Sequence, residues 1–456
     1  MDDQAGAHEK LMARLSADSF RMLFQRLRRS RRAKIALTLH PADFRANLGA
    51  PPSRPIGRLL LTPAAFLLAA FLSGPASLIT SASASLRPQA TLPPDALLAT
   101  ALQEIGAERF DKALEHIDAL IRLRPNFRLA HLIKGDLLIA RARPLNNIGS
   151  GIQAPADRVS DLREEAVARL RAYRERPTEG KVPRYLMKLK PEQQYAIVVD
   201  TNRSRLYLYR NEGDTPRYVA DYYISSGKLG AQKVREGDMK TPIGVYHVTA
   251  SLPPQKLPDL YGTGAFPLNY PNDWDRRQGR SGHGIWLHGT PSDTFSRPPR
   301  ASDGCVVLSN DDLDTVGKFV QVGLTPVIIS EGVEWVNTRD WTQQRDEFLG
   351  ELEKWRTAWE SLDTERYLQH YSRRFASDKL DFAAFAKSKR SVNAGKEWVK
   401  VNLSDVSVFR NPGREDLVVV TFNQNYRSNN LNNVMKKRQY WTREGNRWHI
   451  IFEGSA

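Results

Sequence analysis

The spacing of apolar positions changes twice along the chain, and the changes divide it. Leu97, Leu98, Ala101, Leu102 and Ile105, then Ala113, Leu114, Ile117, Leu120 and Ile121, recur three and four residues apart. That spacing predicts amphipathic helices. Pro125 ends the second helix, and Ala130 to Ala142 predicts a third. Residues 144–160 (PLNNIGSGIQAPADRVS) read as a loop by composition, and Asp161 to Arg174 as a further helix. From Tyr195 the pattern becomes that of strands: YAIVVD, RLYLYR, YVADYYIS, then short runs between Gly, Asn and Asp turns as far as Ile329. This predicts a mostly antiparallel sheet. After Trp335 helical spacing returns in Phe348, Leu352, Trp355, Trp359 and Leu362 and continues through Tyr367, Leu368, Tyr371 and Phe375. The runs VSVFR, LVVVTFNQNY, RQYWTRE and RWHIIFE close the chain as strands. Helices followed by a curved sheet outline an α+β cone. The expected organisation is a helical module over 92–180, a β-rich domain over 192–331 and an α+β cone over 340–456.

Ahead of these lies an uncharged run of 22 residues, Leu59 to Thr80, long enough to cross a bilayer. Arg54 and Arg58 precede it, and Ala82-Ser83-Ala84 has the small residues of a cleavage site. Residues 59–85 therefore read as a signal peptide or membrane anchor, with Pro63 and Pro75 favouring the former. The bias of positive charge places residues 1–58 in the cytoplasm and the rest beyond the membrane, in the periplasm or cell envelope.

Charge and cysteine content then narrow the chemistry. The 456 residues carry a net charge of +16, and residues 1–58 hold twelve Lys or Arg against five Asp or Glu. The basic body suits an anionic partner. Export argues against nucleic acid, and an orientation signal accounts for the N-terminal charge. A lone cysteine, Cys305, excludes an intrachain disulfide and a multi-cysteine zinc site. Neither HExxH nor GxxxxGK[ST] nor GxGxxG stands out, so no metal and no cofactor is expected.

The informative stretch is Gly282-His-Gly-Ile-Trp-Leu-His288-Gly-Thr290, followed by Ala301-Ser-Asp-Gly-Cys-Val-Val-Leu308. Cys305 follows Gly304 and opens an apolar run, a turn feeding a strand. There glycine permits a tight backbone and close substrate approach. The N–H groups of Gly304 and Cys305 are candidate donors to an oxyanion. His288 is the candidate base for a thiol that is mostly protonated at neutral pH. Alternation in a strand puts Trp286 and His288 on one face and His283, Ile285 and Leu287 on the other. A lone cysteine is most often a buried hydrophobe, but the joint pattern of His-Gly and Ser-x-Gly-Cys, with 16 residues between His288 and Cys305, outweighs that reading.

This stretch resembles the YkuD-type L,D-transpeptidase catalytic domain, whose signature is His-Gly followed by Ser-x-Gly-Cys and a hydrophobic strand. Upstream, Ser226-Gly227 with Gly237-Asp-Met-Lys-Thr-Pro-Ile-Gly-Val-Tyr246 is similar to the family's SxG…GDxxTPxGxY stretch, and Tyr261-Gly262 and Asn269-Tyr-Pro271 to its middle segment. The resemblance implies acyl transfer on peptidoglycan stem peptides. Cys305 would be the nucleophile, His288 the base, the Gly289 carbonyl the group that orients the imidazole, and Gly304 an oxyanion donor. Ser302 would fix the turn through its hydroxyl. With Tyr261, Trp286 and Arg300 it is also placed on the substrate side. Two departures bear on substrate choice. Asp303 stands where many members have His, and Val307 where many carry Arg. Arg300, Arg297 and Lys240 are the candidates for that arginine's role.

Two further resemblances complete the sequence reading. Gly106 through Ala113 to Pro125 resembles one tetratricopeptide unit, so the helical module is expected to be TPR-like. Residues 340–456 resemble an NTF2-like (SnoaL-like) cone, a fold that often dimerises, so a homodimer is a further expectation. A YkuD-type domain followed by such a cone is similar to L,D-carboxypeptidases that set helical cell shape. Three functions follow: 3→3 cross-linking by an L,D-transpeptidase, trimming of tetrapeptide to tripeptide by an L,D-carboxypeptidase, or a non-enzymatic murein-binding scaffold.

Overall fold

A computed structural model describes residues 92–456, apart from single positions 144, 146, 152, 178 and 214. The basic segment 1–58 and the expected leader 59–85 lie outside the described residues. Among those described, no helix is long and apolar enough to cross a membrane.

Four helices come first: α1 (Pro94–Gly106), α2 (Phe110–Leu123), α3 (Arg128–Ala140) and α4 (Ala156–Arg174). Their apolar faces supply Leu98, Ala101, Ile117, Leu120, Ala130 and Ile133, all at most 1% exposed. The predicted spacing thus becomes the module's interior. The last helix starts five residues earlier than composition suggests. Pro155 sets its entry and Asp157 sits in its first turn, where a carboxylate complements the helix dipole.

Short strands follow: β1 (Lys181–Pro183), β2 (Leu186–Lys188), β3 (Tyr195–Asp200), β4 (Arg205–Asn211), β5 (Pro216–Tyr223), β6 (Ser226–Gly227), β7 (Gly244–His247) and β8 (Ala265–Pro267). Helix α5 (Asp273–Arg277) leads to β9 (Trp286–His288), β10 (Arg300–Ser302), β11 (Val306–Val307), helix α6 (Asn310–Gly317), β12 (Pro326–Ser330) and β13 (Trp335–Asn337). A five-stranded sheet runs β5-β4-β3-β12-β7, beside a smaller β11-β9-β8 sheet and a β10-β6 pair. Antiparallel pairs prevail as expected, in β3–β4, β4–β5, β12–β7 and β8–β9, but the sheets are mixed. The pairs β12–β3, β11–β9 and β10–β6 are all parallel. Strand direction is set by crossovers between distant segments and leaves no mark on local alternation.

The run Ala196-Ile-Val-Val199 shows why β3 lacks alternation. Ile197 and Val199 enter one core with Leu206, Ile224, Leu287 and Val306. Ala196 and Val198 enter another with Phe409, Val419, Tyr440 and Phe452 from the end of the chain. A strand buried on both faces reads as continuously apolar.

The remainder comprises α7 (Thr338–Glu360), α8 (Thr364–Leu368), β14 (Tyr371–Ser377), α9 (Phe382–Ala394), β15 (Val399–Arg410), β16 (Leu417–Ser428), β17 (Leu431–Glu444) and β18 (Arg447–Ser455). Its sheet runs β14-β18-β17-β16-β15-β2, so a strand from before the five-stranded sheet completes its edge. Tyr371 and Phe375 were expected on a helix and lie on β14. Residues four apart share a face in both structures, so that pair could not distinguish them. Helix α9 was not anticipated. Trp355, Trp359, Tyr367 and Tyr371 are buried in the cone's core, whereas Trp398 is 45% exposed.

Candidate active site

His288 ends β9, the middle strand of its sheet, between β8 and β11. Val306 and Val307 pair in parallel with Leu287 and His288. That register, continued back one residue, sets Cys305 across from Trp286. The expected strand around His288 is confined to Trp286–His288, because Gly282 and Gly284 take positive φ just before it. Even so, Leu287 and Ile285 enter the core, while His283 stays exposed beside Glu236.

The His288 ring is 3% exposed. Its Nδ1 lies 2.7 Å from the Gly289 carbonyl oxygen. A carbonyl only accepts, so Nδ1 carries the proton and Nε2 keeps the basic lone pair. Burial pushes the imidazole down to about 4; the Gly289 bond opposes this and Arg297 adds to it. The Tyr261 ring stands edge-on to the imidazole at 5.0 Å and lies 4.9 Å from the Trp286 ring. These three predicted residues are therefore brought together.

Cys305 is half-buried, and its thiol donates to the Gly284 carbonyl at 3.3 Å. Burial pushes this thiol up, against the Trp286 N–H, which favours the thiolate. Asp303 raises it further, while Arg297 and Lys233 lower it. With the imidazole pushed down and the thiol pushed up, both groups are neutral at neutral pH. At rest the two groups therefore form no thiolate–imidazolium pair, and the thiol hydrogen is held by the Gly284 carbonyl.

The turn before Cys305 explains two of the other predicted residues. Ser302 is buried, and its hydroxyl donates to the Cys305 carbonyl at 2.7 Å and accepts from the Gly304 N–H at 3.2 Å. The hydroxyl is spent inside the turn, so its place is in the frame and not on the substrate side. The same bond occupies the Gly304 N–H, which leaves the Cys305 amide as the candidate oxyanion donor of that pair. Arg300 is directed away, to Glu164 on α4 at 3.2 Å. Asp303 projects into solvent beside Lys228 at 3.4 Å, where an ion pair contributes little.

Sequence reasoning missed Asn310. Its Oδ1 accepts from the Thr263 and Thr290 N–H groups, each at 3.1 Å, and its Nδ2 donates to the Thr290 carbonyl at 3.0 Å. One amide thus ties the segment after Tyr261 to the segment after His288. The signal available was its place just behind Ser309, which caps α6 through its hydroxyl. A second missed pair is Lys233 and Asp238, 2.7 Å apart and nearly buried. Burial would raise the Asp238 carboxyl, but Lys233 and three backbone amides hold it at about 2. The carboxylate thereby ties down the Gly237–Lys240 loop that backs the Cys305 turn.

Residues 194–329 match the family model of the L,D-transpeptidase catalytic domain, YkuD. Residues 347–454 match the Cds6 C-terminal NTF2-like domain. YafK of Escherichia coli (strain K12), whose name places it provisionally among the L,D-transpeptidases, is 32% identical over 117 residues, 25% of this chain. The chain spans only 42% of that relative's length. Among solved structures, Bd1075 of Bdellovibrio bacteriovorus superposes with a TM-score of 0.55 at 29% identity, covering 60% of this chain and 98% of that one. The helical cell shape determining protein Pgp2 of Campylobacter jejuni gives 0.50 at 29% identity, covering 57% and 91%. The chain therefore joins a YkuD L,D-transpeptidase catalytic domain, over residues 194–329, to a C-terminal NTF2-like domain over residues 347–454.

Proposed function

We propose that this chain is a cysteine acyltransferase acting on peptidoglycan stem tetrapeptides. Cys305 is the nucleophile, His288 the base, and the Gly289 carbonyl the group that orients it. The observation that carries the reading is the His288 Nδ1–Gly289 O contact of 2.7 Å. It fixes the tautomer with Nε2 free to accept the thiol proton, on the strand next to Cys305.

The thiol sulfur attacks the carbonyl between the L-centre of the third residue and the terminal D-residue, while Nε2 takes its proton. The tetrahedral oxyanion accepts from the Cys305 amide. On collapse the C–N bond breaks, the imidazolium returns its proton to the departing amine, and the D-amino acid leaves. The remaining tripeptide is held as a thioester. An acceptor amine then attacks the thioester, giving its proton to Nε2, and the thiol is released with a 3→3 cross-link formed.

Water in place of the amine gives an L,D-carboxypeptidase. One observation favours weighing that product: the likeness covers 91% of Pgp2, a helical cell shape determining protein. Digestion of defined disaccharide-tetrapeptides, read by mass spectrometry, tests both. Dimers linked 3→3 support cross-linking, tripeptide alone supports trimming, and unchanged tetrapeptide contradicts both. The uncharged run 59–80 would deliver the enzyme to the envelope. The TPR-like helical module serves as a packing element, and pairing through the cone is a further proposal that a sedimentation measurement decides.

A further inference from the structure

Between β9 and β10 the chain makes a loop, residues 289–299, and the helical module holds it at many points. The Phe295 N–H donates to the Asn126 carbonyl at 3.2 Å, and Asn126 Nδ2 returns a bond to the Ser292 carbonyl at 3.2 Å. Ser296 donates its hydroxyl to Glu165 on α4 at 2.6 Å. The Phe127 and Phe295 rings pack with centroids 4.8 Å apart.

Beneath this loop lies Arg169, 3% exposed and paired with Glu165 at 2.9 Å and with Asp95. Its guanidinium lies 3.9 Å from the centre of the Tyr223 ring on β5. The Tyr223 hydroxyl in turn donates to the Arg297 carbonyl at 3.0 Å. The Arg297 side chain is half-buried and reaches the Leu260 carbonyl at 3.4 Å, one residue from the Tyr261 ring that stands against His288. Among the described residues Arg297 makes no ion pair, although its charge is felt by both Cys305 and His288. A half-buried guanidinium beside the reacting groups, which Asp303 and Asp293 influence only from beyond ion-pair distance, has room for an anion from the substrate. The position that carries arginine in many similar domains holds the buried Val307 instead.

We propose that Arg297 takes the free C-terminal carboxylate of the stem peptide, and that Arg169 on α4 is a positioning residue that fixes Arg297 through Tyr223. The inference rests on the acyl-transfer reading above. It gives the helical module a part in substrate selection: its buried ion pairs hold the loop that carries the specificity-determining cation. Arg300, held by Glu164, is left to tether the loop's far end.

The test compares turnover of a tetrapeptide with a free C-terminus against the same peptide amidated there. Wild type is expected to prefer the acid by roughly tenfold or more, the scale of a charge-assisted pair. Arg297→Gln should bring the preference close to unity by raising KM for the acid, and Arg297→Lys should restore part of it. Arg169→Met should lower the preference in the same way, as a merely structural role would not. Should that variant fail to fold, Ser296→Ala, which frees the loop from Glu165 without cutting the buried pair, is expected to lower it about threefold. A wild-type preference retained in Arg297→Gln overturns the carboxylate assignment, and one retained in a folded Arg169→Met, or in Ser296→Ala where that variant does not fold, overturns the positioning role. Equal cleavage of both peptides by wild type overturns this inference alone. Cleavage of neither overturns the acyl-transfer reading with it.

Discussion

The backbone carbonyl of Lys240 lies against Gly304, so close that a Cβ on Gly304 would stand 2.6 Å from its oxygen. Gly304 also holds φ at +126°, a conformation that side chains rarely adopt. The residue before Cys305 is thus required to be glycine twice over, by dihedral and by space. Gly304→Ala is expected to cost about 2 kcal/mol of stability and to displace the Cys305 amide. The measurements are a denaturant titration and the acylation rate. A variant of wild-type stability and rate would contradict the account.

Asn310 makes a different prediction, because its bonds join two segments of the site and do not support the core. Removing its amide in Asn310→Ala releases the Thr263 and Thr290 backbones together. The stability loss should be modest, about 1–2 kcal/mol. The loss of kcat should be larger, roughly tenfold or more, since a shift of the Gly289 carbonyl turns the imidazole. Comparing the thermal shift with the kcat of the same preparation separates the two effects.

How much of this was legible in the sequence depends on the range of the interaction. Cys305, His288 and the glycine beside each could be read because a turn-to-strand motif is local and its residues are few. The role of Ser302 as frame was also readable, since its hydroxyl reaches only Cys305 and Gly304. Arg297 and Arg300 are three positions apart and equally charged, and nothing local ranks them. What separates them is Glu164, more than a hundred positions upstream, which holds Arg300. The parallel pairing of β12 with β3 was hidden for the same reason, as were the contacts of β2 with β15.

The titration of the site gives a prediction with a definite sign. The Cys305 thiol is pushed up by burial, and the His288 imidazole is held at about 4. Above about pH 5 the ring is neutral, so raising the pH further does not discharge a cation beside the sulfur. Thiolate then accumulates only as pH approaches the raised thiol value. Alkylation of Cys305 by iodoacetamide should accordingly climb without a plateau from about pH 6 to about pH 8, by nearly tenfold per unit. A flat rate between about pH 5 and pH 8 would indicate a thiolate–imidazolium pair and contradict the neutral resting state.

The most direct test is intact-protein mass spectrometry during incubation with a disaccharide-tetrapeptide, using wild type and Cys305→Ala. The account predicts a transient adduct on Cys305 with the mass of the tripeptide-bearing acyl group, release of the terminal D-amino acid, and loss of both in the variant. Undiminished D-amino acid release by Cys305→Ala, or turnover by wild type with the adduct found on another residue, would contradict it.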